Sequence, residues 1–211
     1  MGLWERFAVP PLVSAACATK PFQRQRQKIV PAAEGRILEI GCGSGANFPF
    51  YTAGKVDHLW AVEPAPGMLS RAAGALDTLP IAGRTSLIAA GAENLPLENA
   101  SVDTAVVTFV LCTLPDWPAA CAELRRVLRP GGRVLFSEHG RAPDPGVAKW
   151  QRRVEPLWRR LAGGCHLTRD PAELLRAGGF ALEHVERMYL PSTPRIAGFA
   201  TWGMARLAAA P

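Results

Sequence analysis

Short apolar runs alternate with amphipathic stretches along the first two thirds of the chain, and this alternation predicts the fold. Runs rich in β-branched and aliphatic residues predict strands at 36–40, 58–62, 85–89, 104–110 and 133–138. Between them, residues 67–79 and 117–128 carry helical patterns, and the second ends at an Arg-Pro-Gly-Gly stop signal. Alternating strands and helices indicate βαβ units on a parallel sheet.

The regular alternation of predicted strands and helices ends after residue 138. Helical patterns cover 145–161 and 170–178, and two further strands are predicted at 181–188 and 196–205. A hairpin-like pair of strands at the end of a parallel sheet predicts a mixed sheet with an antiparallel edge. The first 30 residues mix apolar and basic side chains, and we expect them to be helical and to fold over the ligand crevice. We therefore divide the chain into an N-terminal helical cap, 1–34, and a main domain, 35–211.

Composition limits the class of protein. With 211 residues, 48% of them hydrophobic and 20% charged, the chain fits one globular domain. Its five cysteines are scattered without metal-ligand spacing, which indicates a reducing compartment and predicts no metal site. The net charge of +6 comes from 24 basic and 18 acidic residues spread along the chain. Because nucleic-acid binders usually concentrate such charge, we expect no nucleic-acid partner.

A glycine-rich turn, GCGSGA at residues 41–46, follows the first predicted strand. In doubly wound sheets, ligands bind at the carboxyl ends of strands near such a turn. The turn is not a P-loop, because the Lys-Ser/Thr pair is missing. It matches the loose GxGxxA dinucleotide pattern, and Glu63 lies at a suitable distance downstream to bind a ribose hydroxyl. Taken alone, the turn does not separate NAD from S-adenosylmethionine.

Three further features favour S-adenosylmethionine. Glu39 lies inside the strand, two residues before Gly41, where a carboxylate would repel a pyrophosphate but could receive an ammonium group. The acidic segment GAENLPL, residues 91–97, follows the third strand and could meet an adenine edge. The segments SVD at 101–103, LCTL at 111–114 and LRPGG at 128–132 then surround the fourth strand and the helix after it.

Together, residues 36–138 resemble the class I S-adenosylmethionine-dependent methyltransferases in the order and spacing of these motifs. The resemblance implies an α/β protein with a single Rossmann-like, doubly wound, seven-stranded mixed sheet. The implied strand order is 3-2-1-4-5-7-6, with strand 7 antiparallel and an N-terminal helical lid. It also implies transfer of a methyl group from S-adenosylmethionine to a small molecule.

The same resemblance implies a cofactor site. Glu39 and the glycine turn would hold the methionine end, and Glu63 would hold the ribose diol. Ala92 and Glu93 would frame the adenine, with the pocket floor formed at 109–111. The complete set of expected cofactor contacts is Glu39, Gly41, Cys42, Gly43, Asn47, Glu63, Pro64, Met68, Ala92, Glu93, Phe109, Val110 and Leu111.

The acceptor class is narrowed by the residues after the fourth strand. The Asn/Asp-Pro-Pro-Phe/Tyr motif of nucleic-acid amino methylation is absent from this position, and Cys112 is preceded by Leu111 rather than by the proline of cytosine C5 enzymes. The segments GANFPFY (45–51), VLCT (110–113), EH (138–139) and GCHLTR (164–169) instead resemble the animal methyltransferase-like thiol S-methyltransferases and their bacterial relatives. In the animal members, asparagine stands at the position of His166.

That resemblance implies a thiol acceptor, with N-, O- or C-methylation of a lipophilic amine, quinol or phospholipid head group as the alternative. Since no counterpart of the animal membrane anchor precedes the domain, we expect a cytoplasmic protein, at most peripheral to a membrane, acting as a monomer or dimer. The residues expected to contact the acceptor are Phe7, Tyr51, Cys112, Trp150, Cys165 and Arg169.

His139 and His166 are the candidate catalytic residues. Two interpretations stay open for His139, which follows a central strand: it accepts a proton from the substrate, or it supports the strand end. His166 and Arg169 could orient an acceptor, while Arg169 could equally pair with a carboxylate. Cys165 could be a small buried side chain.

The predicted helix at 145–161 has arginines opposite an apolar face that includes Trp150 and Leu157. Such a helix either packs over the substrate pocket with a solvated arginine face or contacts an anionic membrane surface.

Overall fold

The computed structural model describes residues 19–208, and it confirms the predicted alternation of strands and helices. Within these residues the main elements, in chain order, are α1 (Lys20–Ile29), β1 (Gly35–Ile40), β2 (Val56–Val62), α2 (Pro66–Leu76), β3 (Thr85–Ile88), β4 (Val102–Thr108), α3 (Trp117–Val127), β5 (Leu128–His139), α4 (Pro145–Leu161), α5 (Pro171–Ala177), β6 (Phe180–Tyr189) and β7 (Phe199–Leu207). The Arg-Pro-Gly-Gly segment does end α3, as expected. It then forms an interruption early in β5, where the pairing with β4 jumps from Leu128 to Arg133.

The seven strands form one sheet in the order β3-β2-β1-β4-β5-β7-β6, which confirms the fold implied by the sequence. The first five strands are parallel to one another, and β7 runs antiparallel to both β5 and β6. In the register, Glu39 of β1 lies between Ala61 of β2 and Val106 of β4. The order reverses beside β1, so a crevice is expected outside the carboxyl ends of β1 and β4.

Two hydrophobic clusters cover the two faces of the sheet. Leu38 and Val107 belong to the cluster that also contains the buried face of α3. Ile37 and Val106, their neighbours in sequence, belong to the cluster that contains Ile29 at the end of α1 and residues of α2. Successive side chains of a strand point to opposite faces. The near-continuous apolar runs of the central strands are therefore buried on both sides, which fixes the positions of their carboxyl ends.

Helix α1 lies beside the crevice, as the predicted cap requires. Phe22 packs edge-on against Phe109, with ring centroids 4.8 Å apart, and the Arg26 guanidinium lies 5.0 Å from the centre of the same ring. Residues 1–18 of the predicted cap, including Phe7, lie outside the described residues, and the division of the chain at residue 34 stays a prediction.

Helix α4 has the predicted boundaries, but its apolar side chains are only partly covered. Gln151 is fully buried and attaches the helix to the end of β5, since its amide donates to the carbonyls of Gly140 and Ile196 and accepts from the N–H of Ala142. Trp150 and Leu157 are 58% and 61% exposed. Across residues 19–208, we find no helix with the length and apolar character that a membrane crossing requires.

Candidate active site

The glycine turn after β1 permits a very close approach to the loop after β4. Gly41 has a φ of 63°, a conformation that favours glycine, and a Cβ at this position would lie 2.5 Å from a methyl group of Val110. Gly45 has a φ of 82°, and a Cβ there would lie 2.6 Å from the ring of Phe48. The glycines therefore allow the turn to pack tightly on both sides while its backbone faces the crevice.

The crevice is a cleft of about 270 Å³ at the carboxyl ends of β1 and β4. It brings together residues from α1, β1, the glycine turn, the end of β2, the start of α2, the loop after β4 and the end of α4. Its lining consists of Arg26, Glu39, Gly41, Cys42, Gly43, Ser44, Ala46, Asn47, Glu63, Ala65, Met68, Thr108, Phe109, Val110, Thr113, Ala162 and Gly163.

A buried carboxylate closes one end of this cleft. Glu39 is 1% exposed and accepts hydrogen bonds from the Tyr51 hydroxyl at 2.7 Å and from the Asn47 amide at 3.0 Å. The Asn47 amide also donates to the Thr108 hydroxyl at 2.8 Å. Burial raises the pKa of Glu39 to about 7, although the hydrogen bonds from Tyr51 and Asn47 and the charge of Arg26 act in the opposite direction.

This end of the cleft suits an amino-acid group. The Glu39 carboxylate and the buried Asn47 Oδ1, which has no hydrogen-bond partner within residues 19–208, can both accept from an ammonium. The Arg26 guanidinium lines the same cleft and can pair with a carboxylate. The residues present therefore fit the methionine end of S-adenosylmethionine.

A second carboxylate lies at the end of β2. Glu63 accepts from the N–H of Gly43 at 3.1 Å and from the N–H of Ala65 at 3.0 Å, so it joins the glycine turn to the start of α2. Burial raises the pKa of Glu63, while these two hydrogen bonds oppose the rise. Its place beside the turn suits the ribose diol of the cofactor.

The loop after β4 is held by another buried carboxylate, that of Glu138. Its Oε1 accepts from the N–H of Val110 at 2.7 Å and from the N–H of Leu111 at 3.1 Å. Burial raises the pKa of Glu138 to about 7, against the effect of these two hydrogen bonds. Phe109, the residue before Val110, adopts a φ of 55°, which is unfavourable for a side chain of its size. The contacts of Glu138 and α1 hold this strained residue at the cleft wall.

Behind that wall, Cys112, His139 and Cys165 form a buried cluster. The His139 Nε2 and Cys165 Sγ atoms are 3.1 Å apart, and the Trp158 indole N–H donates to the same sulfur at 3.3 Å. Hydrogen bonding with Cys112 and His139 lowers the pKa of the Cys165 thiol, although burial opposes this effect. Burial alone would lower the pKa of His139, but the hydrogen bond and charge of Cys165 raise it. Both shifts favour a thiolate paired with an imidazolium.

The other residues of the 164–169 segment are engaged with protein groups. His166 Nδ1 lies 3.1 Å from a carboxylate oxygen of Glu155, whose other oxygen accepts from the N–H of Thr168. The Arg169 guanidinium donates to the carbonyls of Leu111 and Leu114 at 2.8 and 2.9 Å. Arg169 therefore holds the loop after β4, and the next residue, Asp170, is the N-cap of α5.

The cleft brings together most of the predicted cofactor residues. Those in its lining are Glu39, Gly41, Cys42, Gly43, Asn47, Glu63, Met68, Phe109 and Val110. Four others lie outside the lining: Pro64 is exposed, Ala92 and Leu111 are buried in the core, and Glu93 is half-buried.

The predicted acceptor and catalytic residues lie mostly outside the lining. The Tyr51 hydroxyl donates a hydrogen bond to Glu39, and Trp150 is largely exposed on α4. Cys112, His139 and Cys165 lie in the cluster behind the wall, and His166 and Arg169 make the contacts given above. Their roles in catalysis or acceptor binding stay predictions.

Sequence reasoning missed several residues of the cleft. Arg26, Ala162 and Gly163 line it and belong to none of the motifs described above, and Thr113 also lines it, although the VLCT motif that contains it was given no contact there. Arg26 is one of several basic residues in an amphipathic helix, and the fold alone distinguishes it from the exposed Arg24. Ala162 and Gly163 follow the last residue of α4, so a signal was available in the predicted end of that helix.

Comparisons with known proteins agree with this geometry. The family model described as a methyltransferase domain matches residues 38–136. The thiol S-methyltransferase TMT1B of Rattus norvegicus is 34% identical over 173 residues, covering 78% of this chain and 70% of that protein. The thiol S-methyltransferase TMT1A of Homo sapiens is 31% identical over 186 residues, covering 85% and 75%. A solved Thermotoga maritima methyltransferase, described as a possible histamine N-methyltransferase, has a TM-score of 0.66 at 19% identity and covers 96% of each chain, a likeness that concerns the fold alone.

The chain belongs to the S-adenosylmethionine-dependent methyltransferases. Within that family it is a relative of the rat TMT1B and human TMT1A proteins over most of its length. Its cofactor is S-adenosylmethionine, for which the cleft offers the acidic and basic groups described above.

Proposed function

We propose that this enzyme methylates the sulfur of a small-molecule thiol. The observation that supports this choice is the 34% identity to a thiol S-methyltransferase over 78% of the chain. The cleft is compatible with such an acceptor, since the lining from the loop after β4 and from the end of α4 consists of Phe109, Val110, Thr113, Ala162 and Gly163. A largely apolar surface of this kind suits an uncharged organic thiol.

Methyl transfer to a thiol requires few catalytic groups from the protein at the acceptor side of the cleft. When bound, S-adenosylmethionine supplies an electrophilic methyl group on a sulfonium sulfur. The cleft wall then has to orient the acceptor sulfur in line with that methyl group. A thiol is partly ionised near neutral pH, and its thiolate is the nucleophile, so the proton can leave to solvent before transfer. Catalytic roles for His139 and His166 stay predictions, since both rings are engaged with protein groups outside the cleft lining.

The cofactor contacts that we propose follow the chemistry of the lining. Glu39 and Asn47 receive the ammonium of the methionine moiety, and Arg26 pairs with its carboxylate. Glu63 accepts hydrogen bonds from the ribose diol, while Phe109 lies beside the reacting methyl group. The adenine-binding role of Ala92 and Glu93 is part of the same proposal.

Three matched acceptors test the choice of sulfur. Thiophenol, phenol and aniline share one ring and differ in the nucleophilic atom. With S-adenosylmethionine at saturation, we expect kcat/KM for thiophenol to exceed the values for the other two by at least about 100-fold, because a thiol is partly ionised near neutral pH and its thiolate is the nucleophile, whereas phenol stays almost fully protonated and aniline is a neutral amine. Turnover of phenol or aniline at the rate of thiophenol would contradict the proposal. Such a result would leave the methyltransferase assignment intact and favour the O- or N-acceptor.

A peripheral membrane contact is a second proposal, supported by helix α4. Trp150 and Leu157 are exposed on a helix that also carries Arg152, Arg153 and Arg159. Exposed aromatic and aliphatic side chains beside basic residues suit the interface of an anionic bilayer. We expect the protein to co-sediment with anionic vesicles at low salt, to bind neutral vesicles more weakly, and to lose binding in the double variant Trp150→Ser/Leu157→Ser. No binding to anionic vesicles at low salt would contradict this contact, and with it the route for a lipophilic acceptor.

A further inference from the structure

Three potential metal ligands from distant parts of the sequence meet behind the cleft wall. Cys112 lies in the loop after β4, His139 is the last residue of β5, and Cys165 lies in the loop between α4 and α5. Their sulfur and imidazole nitrogen atoms all lie within 4.8 Å of one another, and His139 Nε2 and Cys165 Sγ are 3.1 Å apart. The three residues are 4%, 9% and 7% exposed.

We propose that these three side chains bind one zinc ion. Two thiolates and one imidazole are the ligand types that zinc prefers, and with Zn–S and Zn–N bonds of about 2.3 and 2.0 Å, tetrahedral ligand atoms lie about 3.5 to 3.8 Å apart. The His139–Cys165 separation of 3.1 Å is slightly shorter than this range and no pair of ligand atoms exceeds 4.8 Å, so side-chain adjustments of about 1 Å would close the site. Such adjustments require no change in the strands that carry the ligands.

The backbone around the cluster is already ordered for this purpose. The N–H of His166 donates to the carbonyl of Cys112 at 2.9 Å, which joins the two loops that carry the cysteines. Arg169 holds the carbonyls of Leu111 and Leu114 on either side of Cys112. A site whose ligands are fixed before binding loses less conformational entropy when the ion arrives.

The surroundings of the sulfur atoms also suit a metal thiolate. The Trp158 indole N–H donates to Cys165 Sγ at 3.3 Å, and hydrogen bonds of this kind to ligand sulfur atoms are typical outer contacts of metal sites. Metal binding requires deprotonated cysteines. Cys112 and Cys165 would therefore release their protons to solvent as the ion binds.

The proposed zinc site adjoins the cleft, and the proposal holds whichever acceptor is methylated. Cys112 precedes Thr113 and Cys165 follows Gly163 by two residues, and both Thr113 and Gly163 line the cleft. Three protein ligands leave one tetrahedral position for water or another small ligand, as in catalytic zinc sites. The sequence alone indicated no such site, because its cysteines show no short metal-ligand spacing and only the fold unites these two with the histidine.

Cobalt titration of the full-length protein tests the proposal directly. The untagged protein is reduced with a phosphine, freed of metal with a chelator and titrated with Co²⁺ while its absorption is recorded. We expect one Co²⁺ per chain, a thiolate-to-cobalt charge-transfer band, and loss of that band when one equivalent of Zn²⁺ is added. A folded protein that shows no such band at saturating Co²⁺ would overturn the proposal without any variant.

Matched variants assign the ligands. Cys112→Ser, Cys165→Ser and His139→Asn should each weaken Co²⁺ binding by at least tenfold. Cys121→Ser, which changes a buried cysteine of α3 outside the cluster, and His184→Asn on β6 should keep it. Near-ultraviolet circular dichroism checks the folding of each variant. An unchanged band in the two cluster cysteine variants, or an equal loss in Cys121→Ser, would overturn the assignment, and neither result bears on which acceptor is methylated.

Discussion

The Tyr51 hydroxyl donates a hydrogen bond of 2.7 Å to the Glu39 carboxylate at the buried end of the cleft. A short helical segment, Phe48–Phe50, separates the glycine turn from Tyr51 in the sequence. The Tyr51 side chain returns to the end of β1, where its hydroxyl contacts Glu39. This contact helps to keep the buried carboxylate ionised, and the contact of Tyr51 with the acceptor stays a prediction. We expect the pair to determine how strongly the methionine end of the cofactor is held.

Tyr51→Phe tests this role. Removing the hydroxyl takes one hydrogen bond from the Glu39 carboxylate, and a hydrogen bond to a charged group contributes about 1.5 to 3 kcal/mol. We expect the Kd for S-adenosylmethionine at neutral pH to rise by about tenfold or more, as measured by isothermal titration calorimetry. The KM for a thiol acceptor should change little. A variant with normal cofactor affinity and a raised acceptor KM would instead support direct contact with the acceptor.

The pKa of Glu39 predicts a pH dependence of cofactor binding. Its value of about 7 means that the carboxylate gains a proton as the pH falls below neutrality. The cofactor ammonium, with an ordinary α-amino pKa near 8, stays charged there. We therefore expect affinity to fall by up to about tenfold per pH unit between pH 7 and 5.5. Glu39→Gln should bind weakly with little dependence on pH, and an equally steep profile in that variant would exclude Glu39 as the titrating group.

The raised pKa of Glu39 also makes the stability of the unliganded protein depend on pH, and here a lower pH is favourable. A carboxyl whose pKa is raised on folding binds its proton more tightly in the folded state, so its contribution to stability is fully present below about pH 4.5 and is lost as the pH rises through about 7. Glu138 follows the same rule. Denaturant titrations of Glu39→Gln should show a shallower loss of stability across this interval than the parent protein.

Arg26 provides a prediction that sequence reasoning alone did not supply. If its guanidinium pairs with the cofactor carboxylate, Arg26→Gln should raise the Kd for S-adenosylmethionine by about tenfold or more, on the scale of charge-assisted hydrogen bonds. Arg24→Gln, two positions away on the exposed side of α1, should leave it unchanged. Decarboxylated S-adenosylmethionine supplies the decisive control, because it should bind the parent protein and Arg26→Gln with similar affinity. Equal losses for both ligands would contradict the assignment.

The strain at Phe109 predicts an unusual order of stabilities. At a φ of 55°, glycine is favoured over residues with a Cβ, so Phe109→Gly should be more stable than Phe109→Ala by about 1 kcal/mol even though both lose the ring. In the exposed middle of α4, Arg153→Gly should be less stable than Arg153→Ala by about the same amount. The free energy of unfolding of all four variants is measured by chemical denaturation. If alanine were the more stable substitution at both positions, the strain at Phe109 would be refuted.

The sequence predicted the strands and helices well because their signals are local, and the strand order followed from the resemblance to the class I methyltransferases. Periods of two and 3.6 residues, the glycine turn and the Arg-Pro-Gly-Gly stop all act within one element or between neighbours in the chain. Glu39 and Glu63 were found for the same reason, since each lies at a fixed distance from the turn.

The acceptor side was harder to predict because it is built from non-local contacts. His139 was expected either to accept a proton from the substrate or to support the strand end, and its Nε2 lies against Cys165, in the loop that follows α4. Arg169 was expected either at the acceptor or paired with a carboxylate, yet it holds two backbone carbonyls of the loop after β4. Such pairings depend on how β5, α4 and the loops fold together, and no pattern in the sequence specifies them.

Transfer of a labelled methyl group within one bifunctional acceptor tests the central claim most directly. The acceptor is a benzene ring that carries one thiol and one hydroxyl group, and the cofactor is S-adenosylmethionine with a deuterated methyl group. Tandem mass spectrometry of the product locates the label. We expect the label on sulfur, because the thiol is partly ionised near neutral pH, whereas the phenol stays almost fully protonated and would need a general base. Label on oxygen would contradict a thiol S-methyltransferase.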